Sequence, residues 1–452
     1  MGSDIHRLFN PDSIVVVGAS NKPGKMGNLF INRLAAGFSG KLFAVNPGED
    51  IIAGTTTCRK IEDVPGPVDV MIALVPASSL VKLVDACRES QVRFLLAVPS
   101  GFAEAAKDRP ELQRSLIEAA RRRGMRVLGP NIVGVMNGVL GLNASMMPEL
   151  PPGGVGLSCL TQSGGFGMAL SMYALDHNLP VAKFCDVGNT SDLEIHEVLD
   201  YLAQDADTRV IGLFIESVRD HDLFWRGLEK AAAAKPVVLT PVGVTPAGRR
   251  ASLAHLGIAA EAVALRDKLP RGVVVADTAL GLLHNAKALM WQRNARGRRA
   301  AVLTGTGGIG AELADLAVRQ GLDLPSLSPQ LQKRMFEHLP YYAGVCNPVD
   351  CTPIWWDYAK VYPSVLDRLA ESGEVDLVIV SVTDVAATLP ALATALATWS
   401  SSGRSLPMVV YWGARDRDRE NMQILEQAGV PCYRTTVEAA SAAAALASLS
   451  RP

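Results

Sequence analysis

Two short segments of the sequence combine glycine with hydroxyl side chains in a pattern typical of phosphate-binding loops. Residues 161–167 read Thr-Gln-Ser-Gly-Gly-Phe-Gly, and residues 304–310 read Thr-Gly-Thr-Gly-Gly-Ile-Gly. Each follows a short apolar run and precedes a helix-forming segment. At the start of a helix, backbone N–H groups and the positive end of the helix dipole attract the same anion. The repeat predicts duplicated α/β units and phosphate chemistry; alternatively, the glycines only ease tight strand-to-helix turns.

A glutamate and a histidine in the middle of the chain are candidates for catalysis. Glu216 ends the apolar run 212–215, so its carboxylate is predicted at the sheet edge where ligands bind. His255 follows the next predicted strand, within segment 252–257, which we expect to be a loop. The alternatives are a strand-end charge that faces water and a structural or exposed histidine.

The first glycine-rich loop, residues 18–27, does not match the dinucleotide-binding pattern G-x-G-x-x-G. Asn46 and Pro47 stand where that pattern places an acidic residue for the ribose. Ordinary NAD binding, and with it a nucleotide-dependent oxidoreductase, is therefore disfavoured. The glycines still allow close approach of a diphosphate that Lys22 or Lys25 could neutralise. Alternatively, both lysines are solvated and have no role.

Apolar runs rich in β-branched residues alternate with helical segments along the chain. This order predicts an α/β protein with parallel, doubly wound sheets. The length of 452 residues suits about three domains. A proline-rich segment at 148–152 and a basic segment at 293–299 separate them. The predicted domains are residues 1–147, 150–292 and 298–452.

Composition narrows the possible partners and compartments. The chain has 44 Lys and Arg against 45 Asp and Glu, so its net charge gives no hint of nucleic-acid or membrane-surface binding. No apolar stretch reaches membrane-spanning length, and the N-terminus lacks the apolar core of a secretion signal. The seven cysteines include no C-x-x-C pair, and no residues have the spacing of a metal site. We expect a reduced, cytoplasmic protein without a metal centre.

Motifs spread over nearly the whole chain resemble those of a known family. The opening segment, residues 8–20, resembles the start of the NDP-forming acyl-CoA synthetases, the ADP-forming acetate–CoA ligase family related to succinyl-CoA synthetase. The similarity continues, in order, through Val45-Asn-Pro, Val75-Pro-Ala, Ser100-Gly-Phe, Leu128-Gly-Pro-Asn, Thr161-Gln-Ser-Gly, Val187-Gly-Asn, Ile215-Glu and Cys346-Asn-Pro-Val-Asp350. The resemblance implies a Rossmann-like CoA-binding domain followed by two flavodoxin-like, succinyl-CoA synthetase-like domains.

The resemblance also implies a catalytic route. A histidine at the position of His255 is phosphorylated, and a glutamate like Glu216 steadies the phosphohistidine. The carboxylic acid becomes an acyl phosphate, and CoA then takes the acyl group. The phosphoryl group is expected in the loop Thr161, Gln162, Ser163, Gly164 and Gly165.

CoA is expected at the C-terminal edge of the first sheet, because the first turn is rich in glycine and neighbouring strands end near proline. Its diphosphate is expected against Gly18, Ala19, Ser20, Lys25 and Gly27. The rest of the molecule is expected near Asn46, Pro47, Pro76, Ser100 and Asn131.

The sequence departs from the family pattern around the histidine. Gly243 lies twelve residues before His255, as the pattern requires. Pro241 and Leu256, however, stand where the family has Lys and Thr. The segment from His255 to Gly272 is about two residues shorter than the resemblance implies, and Gly48 replaces a Lys that often follows Asn-Pro.

No ATP-grasp domain is recognisable in the sequence. A separate ATP-grasp β subunit is therefore expected to supply ATP or another NTP with Mg²⁺, within an oligomer. Two functions stay open: the phosphohistidine subunit of an acid–CoA ligase, and a non-catalytic CoA- or acyl-CoA-binding protein on the same scaffold. The sequence does not identify the carboxylic acid.

Overall fold

The computed structural model describes residues 5–105, 109–256, 269–292, 295–383, 388–403, 406–413 and 419–449. The chain forms two compact units, Met1–Ala279 and Leu280–Pro452. Two sheets belong to the first unit and one to the second. The predicted α/β class with parallel sheets is confirmed.

The first sheet of unit 1 is built from the N-terminal part of the chain. Its elements are α1 (His6–Phe9), β1 (Ser13–Val17), α2 (Met26–Gly37), β2 (Lys41–Val45), β3 (Ile51–Ile52), β4 (Thr55–Cys58), β5 (Val68–Ala73), α3 (Ala77–Ala86), β6 (Val92–Ala97), α4 (Arg109–Arg122) and β7 (Arg126–Leu128). The strand order is β3-β4-β2-β1-β5-β6-β7, and only the β3–β4 pair is antiparallel. All five residues of β1 are buried, as expected for a parallel strand covered on both faces.

The second sheet of unit 1 holds the candidate phosphate loop. Its elements are β8 (Gly134–Asn137), β9 (Leu142–Ser145), β10 (Gly156–Thr161), α5 (Gly164–Asp176), β11 (Val181–Asp186), α6 (Ile195–Gln204), β12 (Thr208–Ile215), α7 (His221–Ala234), β13 (Val237–Pro241), α8 (Pro246–Leu256) and β14 (Val273–Val275). The strand order is β14-β13-β12-β10-β11-β8-β9. The five strands from β10 to β14 run parallel, so their C-terminal ends share one edge.

The β8–β9 hairpin differs from the sequence-based domain assignment. Its residues lie within the range 1–147 assigned to the first domain, yet β8 pairs antiparallel with β11 of the second sheet. The strands have four residues each, too few for a hydrophobic period to reveal them. The Asn137 side-chain oxygen closes the turn by accepting the Val139 and Leu140 N–H groups at 3.1 and 3.3 Å. The domain boundaries themselves stay a prediction.

Unit 2 contains a single five-stranded parallel sheet. Its elements, beginning with a helix that starts at the division between the units, are α9 (Ala279–Trp291), β15 (Ala300–Thr304), α10 (Gly307–Arg319), α11 (Pro329–Met335), β16 (Val349–Asp350), α12 (Tyr358–Ser372), β17 (Leu377–Val382), α13 (Leu389–Ser401), β18 (Met408–Trp412), α14 (Arg419–Gln427), β19 (Cys432–Tyr433) and α15 (Thr436–Ser448). The strand order is β16-β15-β17-β18-β19. The apolar strands β15, β17 and β18 form its centre.

Candidate active site

The loop between β10 and α5 has the geometry of an anion-binding turn. Ser163 precedes the helix with an extended backbone, and α5 then runs for 13 residues from Gly164. The Thr161 hydroxyl oxygen accepts the Ser163 N–H at 2.9 Å and donates to the Ser163 carbonyl at 3.2 Å. The first N–H groups of a helix have no partner inside it. This turn therefore presents backbone donors where the sequence predicts a phosphoryl group.

Gln162 ties this loop to the neighbouring strand. Its side-chain oxygen accepts the Glu216 N–H at 2.8 Å and the Ser217 N–H at 3.0 Å. Gln162 is buried. Because this oxygen is occupied by backbone donors, Gln162 fixes the position of Glu216 relative to the loop.

Glu216 and His255 form a hydrogen-bonded pair. His255 Nδ1 lies 3.1 and 3.2 Å from the two Glu216 carboxylate oxygens. The Glu216 side chain is 7% exposed, whereas that of His255 is 52% exposed. A carboxylate at one ring nitrogen sets the tautomer in which Nδ1 carries the proton, so Nε2 is the nitrogen left for reaction.

The sequence-based expectation of a loop at 252–257 is wrong for its described part. Residues 252–256 lie in α8, and His255 lies in its last turn. The helix begins at Pro246, and proline is favoured at the first helical position. Alanine, arginine and leucine, all good helix formers, follow it. Residues 257–268, which include most of the segment expected to be short, lie outside the described residues, as does the Leu256 side chain.

Gly243 shapes the turn that leads into this helix. Its φ is +77°, and an added Cβ would lie 2.9 Å from the Ser252 hydroxyl oxygen and 3.7 Å from the Glu216 carbonyl oxygen. Only glycine fits this backbone conformation at such close approach. The turn thereby brings α8 close to the strand end that carries Glu216.

A cavity of about 570 Å³ lies at the C-terminal ends of strands from both sheets of unit 1. Leu74 and Val98 follow strands of the first sheet, and Asp186 ends β11 of the second. The cavity is within the size range of small-molecule sites. Six of the residues predicted for the CoA, phosphate and catalytic sites line this cavity: Ser100, Asn131, Gln162, Gly164, Gly165 and His255.

Asp186 is a buried carboxyl group on the wall of this cavity, and the sequence analysis gave it no role. Its two oxygens accept the Val133 N–H at 2.8 Å and the Gly188 N–H at 3.0 Å. Burial raises the pKa of Asp186 to about 7, while the nearby His255 acts to lower it. Its place at a strand end, like that of Glu216, was the available signal.

The other predicted CoA residues lie in the turns after β1, β2 and β5, outside the lining of this cavity. Gly27 at the start of α2 packs so closely on the first turn that an added Cβ would lie 1.9 Å from the Gly18 carbonyl oxygen. The Asn46 side chain donates to the Ala19 carbonyl at 2.7 Å. These contacts join the first two turns. Exposed Pro47 follows Asn46, exposed Lys25 precedes α2, and Pro76 precedes α3.

Glu49 is a further residue in this region that the sequence analysis missed. Its carboxylate accepts the Ser20 hydroxyl at 3.2 Å and the Asn21 side-chain N–H at 2.7 Å. The Asn21 backbone N–H also donates to it, at 3.2 Å. Glu49 lies three positions beyond Asn46, and its carboxylate contacts the loop itself.

The described residues were also compared with the features of metalloproteins, membrane-spanning proteins and disulfide-bonded proteins. No three His, Cys, Asp or Glu side chains cluster as metal ligands anywhere in the described ranges. Within the same ranges, no helix combines the length and apolar character needed to cross a bilayer. All seven cysteines are free, and five of them are buried. Burial raises the pKa of the Cys87 thiol to about 11, as expected for structural thiols.

Comparison with known proteins identifies two domain families along the chain. Residues 12–138 match the CoA binding domain model, and residues 152–289 match the model of the succinyl-CoA ligase like flavodoxin domain. The chain is 30% identical, over 97% of its own length and 96% of the relative's, to the alpha subunit of acetate–CoA ligase [ADP-forming] II from Pyrococcus furiosus. It is 31% identical to acetate–CoA ligase [ADP-forming] I from Archaeoglobus fulgidus, over 99% of this chain and 64% of that protein.

A solved structure resembles the chain over its full length. It is acetyl-coenzyme A synthetase 1 from Ca. Korarchaeum cryptofilum in complex with phosphate and ADP. The TM-score is 0.90 at 30% identity, covering 99% of this chain and 97% of that one. The chain therefore belongs to the ADP-forming acetate–CoA ligase family, the NDP-forming acyl-CoA synthetases, as its alpha-subunit portion.

Proposed function

We propose that this chain is the CoA-binding, phosphohistidine-carrying subunit of an acid–CoA ligase. The enzyme interconverts a carboxylic acid, CoA and NTP with acyl-CoA, NDP and phosphate. One observation carries the proposal: His255, held by buried Glu216, lines the same cavity as residues of the predicted phosphate loop and CoA site. The histidine, the anion turn and the first sheet are thus brought to one place.

His255 acts as the nucleophile in this proposal. Nε2 attacks the phosphorus atom of an acyl phosphate or of the nucleotide, while Glu216 holds the proton at Nδ1 and stabilises the positive ring. Such a covalent intermediate divides a difficult transfer into two easier steps. The N–H groups at the start of α5 stabilise the new negative charge without reorganising.

CoA occupies the first sheet and extends toward this cavity. Ser100 and Asn131 lie on its wall, at the end of the first sheet nearest the anion turn. The glycine-rich turn after β1 and exposed Lys25 are available to the diphosphate. In this arrangement the thiol end of CoA approaches the acyl phosphate, and the nucleotide end stays on the first sheet.

A partner supplies the nucleotide. The Pyrococcus relatives are named as alpha subunits, and this chain covers only 64% of the Archaeoglobus ligase, so ligases of this family contain further sequence beyond the part matched here. We assign that part to an ATP-grasp β subunit that brings NTP and Mg²⁺, in a cytoplasmic oligomer. ADP is the nucleotide product named for the relatives.

The catalytic function is favoured over a non-catalytic CoA-binding protein. The family relatives are ligases, and the His255–Glu216 pair is intact despite Pro241 in the preceding strand. The close approach of Gly243 to Ser252 is also kept. A scaffold that only binds CoA would not require a buried carboxylate held against an exposed histidine.

Activity of the complex tests the proposal. The chain and its ATP-grasp subunit are incubated with acetyl-CoA or another acyl-CoA thioester, phosphate, Mg²⁺ and ADP, and ATP formation is measured. His255→Asn is expected to abolish ATP formation and leave the affinity for CoA unchanged. His196→Asn is the control, because His196 also faces a glutamate, Glu194 at 3.5 Å, outside the cavity. Equal activity of His255→Asn and wild type would overturn the proposal.

Calorimetry on the full chain tests the CoA site separately. CoA is expected to bind, and NADH is not, because Asn46 and Pro47 follow β2 where a ribose-binding carboxylate would be needed. If NADH binds to the chain and CoA does not, the first sheet serves a different ligand.

A further inference from the structure

The proposed reaction needs a group that takes the proton of the CoA thiol while the acyl phosphate is still intact. For CoA to attack an acyl phosphate, its thiol must become a thiolate, and an ordinary thiol has a pKa of about 8.5. His255 receives the phosphoryl group, and Glu216 is hydrogen-bonded to His255. Neither is therefore free to take the thiol proton in the same site.

Asp186 is the remaining titratable side chain on the cavity wall. Among the described lining residues only Asp186 and His255 carry an ionisable side chain. Asp186 is 1% exposed and ends β11, in register with Thr161 at the start of the phosphate loop. Its carboxyl group thus lies beside the turn where the acyl phosphate is expected.

Two hydrogen bonds fix the orientation of the Asp186 carboxyl group, yet each of its oxygens can accept a further hydrogen bond or a proton. One oxygen accepts the Val133 N–H and the other the Gly188 N–H, at 2.8 and 3.0 Å. A carboxylate oxygen has two lone-pair sites, so one N–H bond to each leaves a further site. Val133, in the connection from β7 of the first sheet to β8 of the second, also lines the cavity.

We propose that Asp186 transfers the proton of the CoA thiol. This inference rests on the proposed function. The S–H bond breaks and an O–H bond forms on Asp186, while the sulfur bonds to the acyl carbon. The bond from that carbon to the phosphate oxygen breaks, and its electron pair leaves with the phosphate; the proton on Asp186 then passes to this phosphate, which departs as hydrogen phosphate. In the reverse direction Asp186 returns the proton to the departing thiolate.

The surroundings of Asp186 suit this exchange. Burial raises its pKa to about 7, the Glu216 charge also raises it, and the His255 charge lowers it. The adjoining Cys185 thiol is buried, and its pKa is raised well above the ordinary value. A proton-transfer group works best when its pKa is near the working pH. Acyl-CoA formation needs the carboxylate and should rise with pH through about 7; the reverse reaction needs the acid and should fall.

Two half-reactions of the complex with its ATP-grasp subunit separate this proposal from the proposed function. Phosphorylation of His255 by labelled ATP needs no thiol, whereas acetyl-CoA formation from acetyl phosphate and CoA does. Asp186→Asn is expected to keep the label on His255 and to slow acetyl-CoA formation by about 100-fold or more. Its rate should then rise steadily with pH toward the thiol pKa, without the step near 7.

A selenol analogue of CoA gives a second measurement that does not depend on how the variant folds. A selenol is already ionised at pH 7, so it needs no base. The wild-type complex should lose its pH step with this analogue, and Asp186→Asn should recover most of its rate. Normal acetyl-CoA formation by Asp186→Asn, or an unchanged wild-type pH step with the selenol, would overturn the role of Asp186. Absence of label on wild-type His255 would instead overturn the proposed function.

Discussion

The loops that begin α5 and α10 are close structural copies, and among the described residues the candidate catalytic His255 lines a cavity together with the first loop. Thr304 repeats the hydrogen bonds of Thr161: its hydroxyl oxygen accepts the Thr306 N–H at 3.0 Å and donates to the Thr306 carbonyl at 3.1 Å. Ser163 and Thr306 have nearly equal dihedral angles, with φ −128° and −137°. Both helices have 13 residues.

The residues around the two loops differ. Gly305 stands where the first copy has Gln162, and an added Cβ there would lie 1.8 Å from the Tyr358 hydroxyl oxygen. A carboxylate oxygen of Asp350 lies within 2.9 Å of the position a Gly307 Cβ would take. Asp350 stands in register with Thr304 as Asp186 does with Thr161, so a carboxyl group beside the turn is common to both copies, and Gly305 in place of Gln162 is the difference.

This difference shows that the turn is a property of local sequence, whereas the site is a property of the strands around it. A threonine, two glycines and a helix reproduce the same backbone twice. Phosphoryl chemistry additionally needs a side chain such as Gln162 that positions the Glu216 carboxylate, and a histidine that lies on a separate helix. We therefore expect substitutions at both loops to lower or raise stability in the same direction, and only those at the first loop to change catalysis.

The largest difference is expected at Gln162. Gln162→Leu leaves the buried Glu216 and Ser217 N–H groups without their acceptor, at a cost of about 1–3 kcal/mol for each. Glu216 would shift, and phosphorylation of His255 should fall about 100-fold or more, in line with loss of an oriented acid–base partner. Chemical denaturation and histidine labelling measure the two effects.

The counterpart in unit 2 is Tyr358→Phe. This variant loses the bonds that the hydroxyl group donates to the Thr352 and Gly305 carbonyls, at 2.8 and 3.4 Å. Unfolding free energy should fall by about 1 kcal/mol, and labelling of His255 should stay at the wild-type level. An equal loss of labelling in both variants would contradict the assigned difference between the loops.

A smaller difference is expected from Thr161→Val and Thr304→Val. Each removes one hydroxyl from the same turn, so each should lower the free energy of unfolding by about 1 kcal/mol. Only Thr161→Val should slow phosphorylation of His255. We expect a decrease of about tenfold, because raising the activation free energy by about 1.4 kcal/mol lowers a rate tenfold. Slower labelling in Thr304→Val alone would reverse the assignment.

The smallest effect is expected from alanine at the helix starts. An added Cβ at Gly165 would meet only the Ser163 hydroxyl oxygen, at 3.7 Å, and one at Gly308 would meet nothing within 4 Å. Both variants should gain up to about 0.5–1 kcal/mol in stability. Gly165 lines the cavity, so Gly165→Ala alone should weaken inhibition by inorganic phosphate a few-fold. Thermal unfolding and phosphate inhibition check the pair.

The regular elements could be predicted from the sequence because buried parallel strands are nearly continuous apolar runs. The strands before 161, 186 and 304, and the helices after the two glycine loops, were predicted within a few residues. The β8–β9 hairpin could not be predicted, since its four-residue strands are specified by pairing with β11.

The candidate site was predictable only in part. Glu216 and His255 were identified from their residue types, strand position and family resemblance, and the structure brings them to 3.1 Å. The helical setting of His255 was missed because proline and glycine near 241–248 suggested a loop. Asp186 was missed because its contact with Val133, whose N–H donates to it at 2.8 Å, joins residues that are distant in sequence.

The position of the phosphoryl group tests the central claim most directly. The wild-type complex with its ATP-grasp subunit is incubated with labelled ATP and Mg²⁺, and the labelled peptide is identified by mass spectrometry. The account predicts one acid-labile phosphate, on His255, lost in His255→Asn and kept in Thr304→Val. Label on any other residue, or full turnover of the complex with no phosphate on His255, would contradict it.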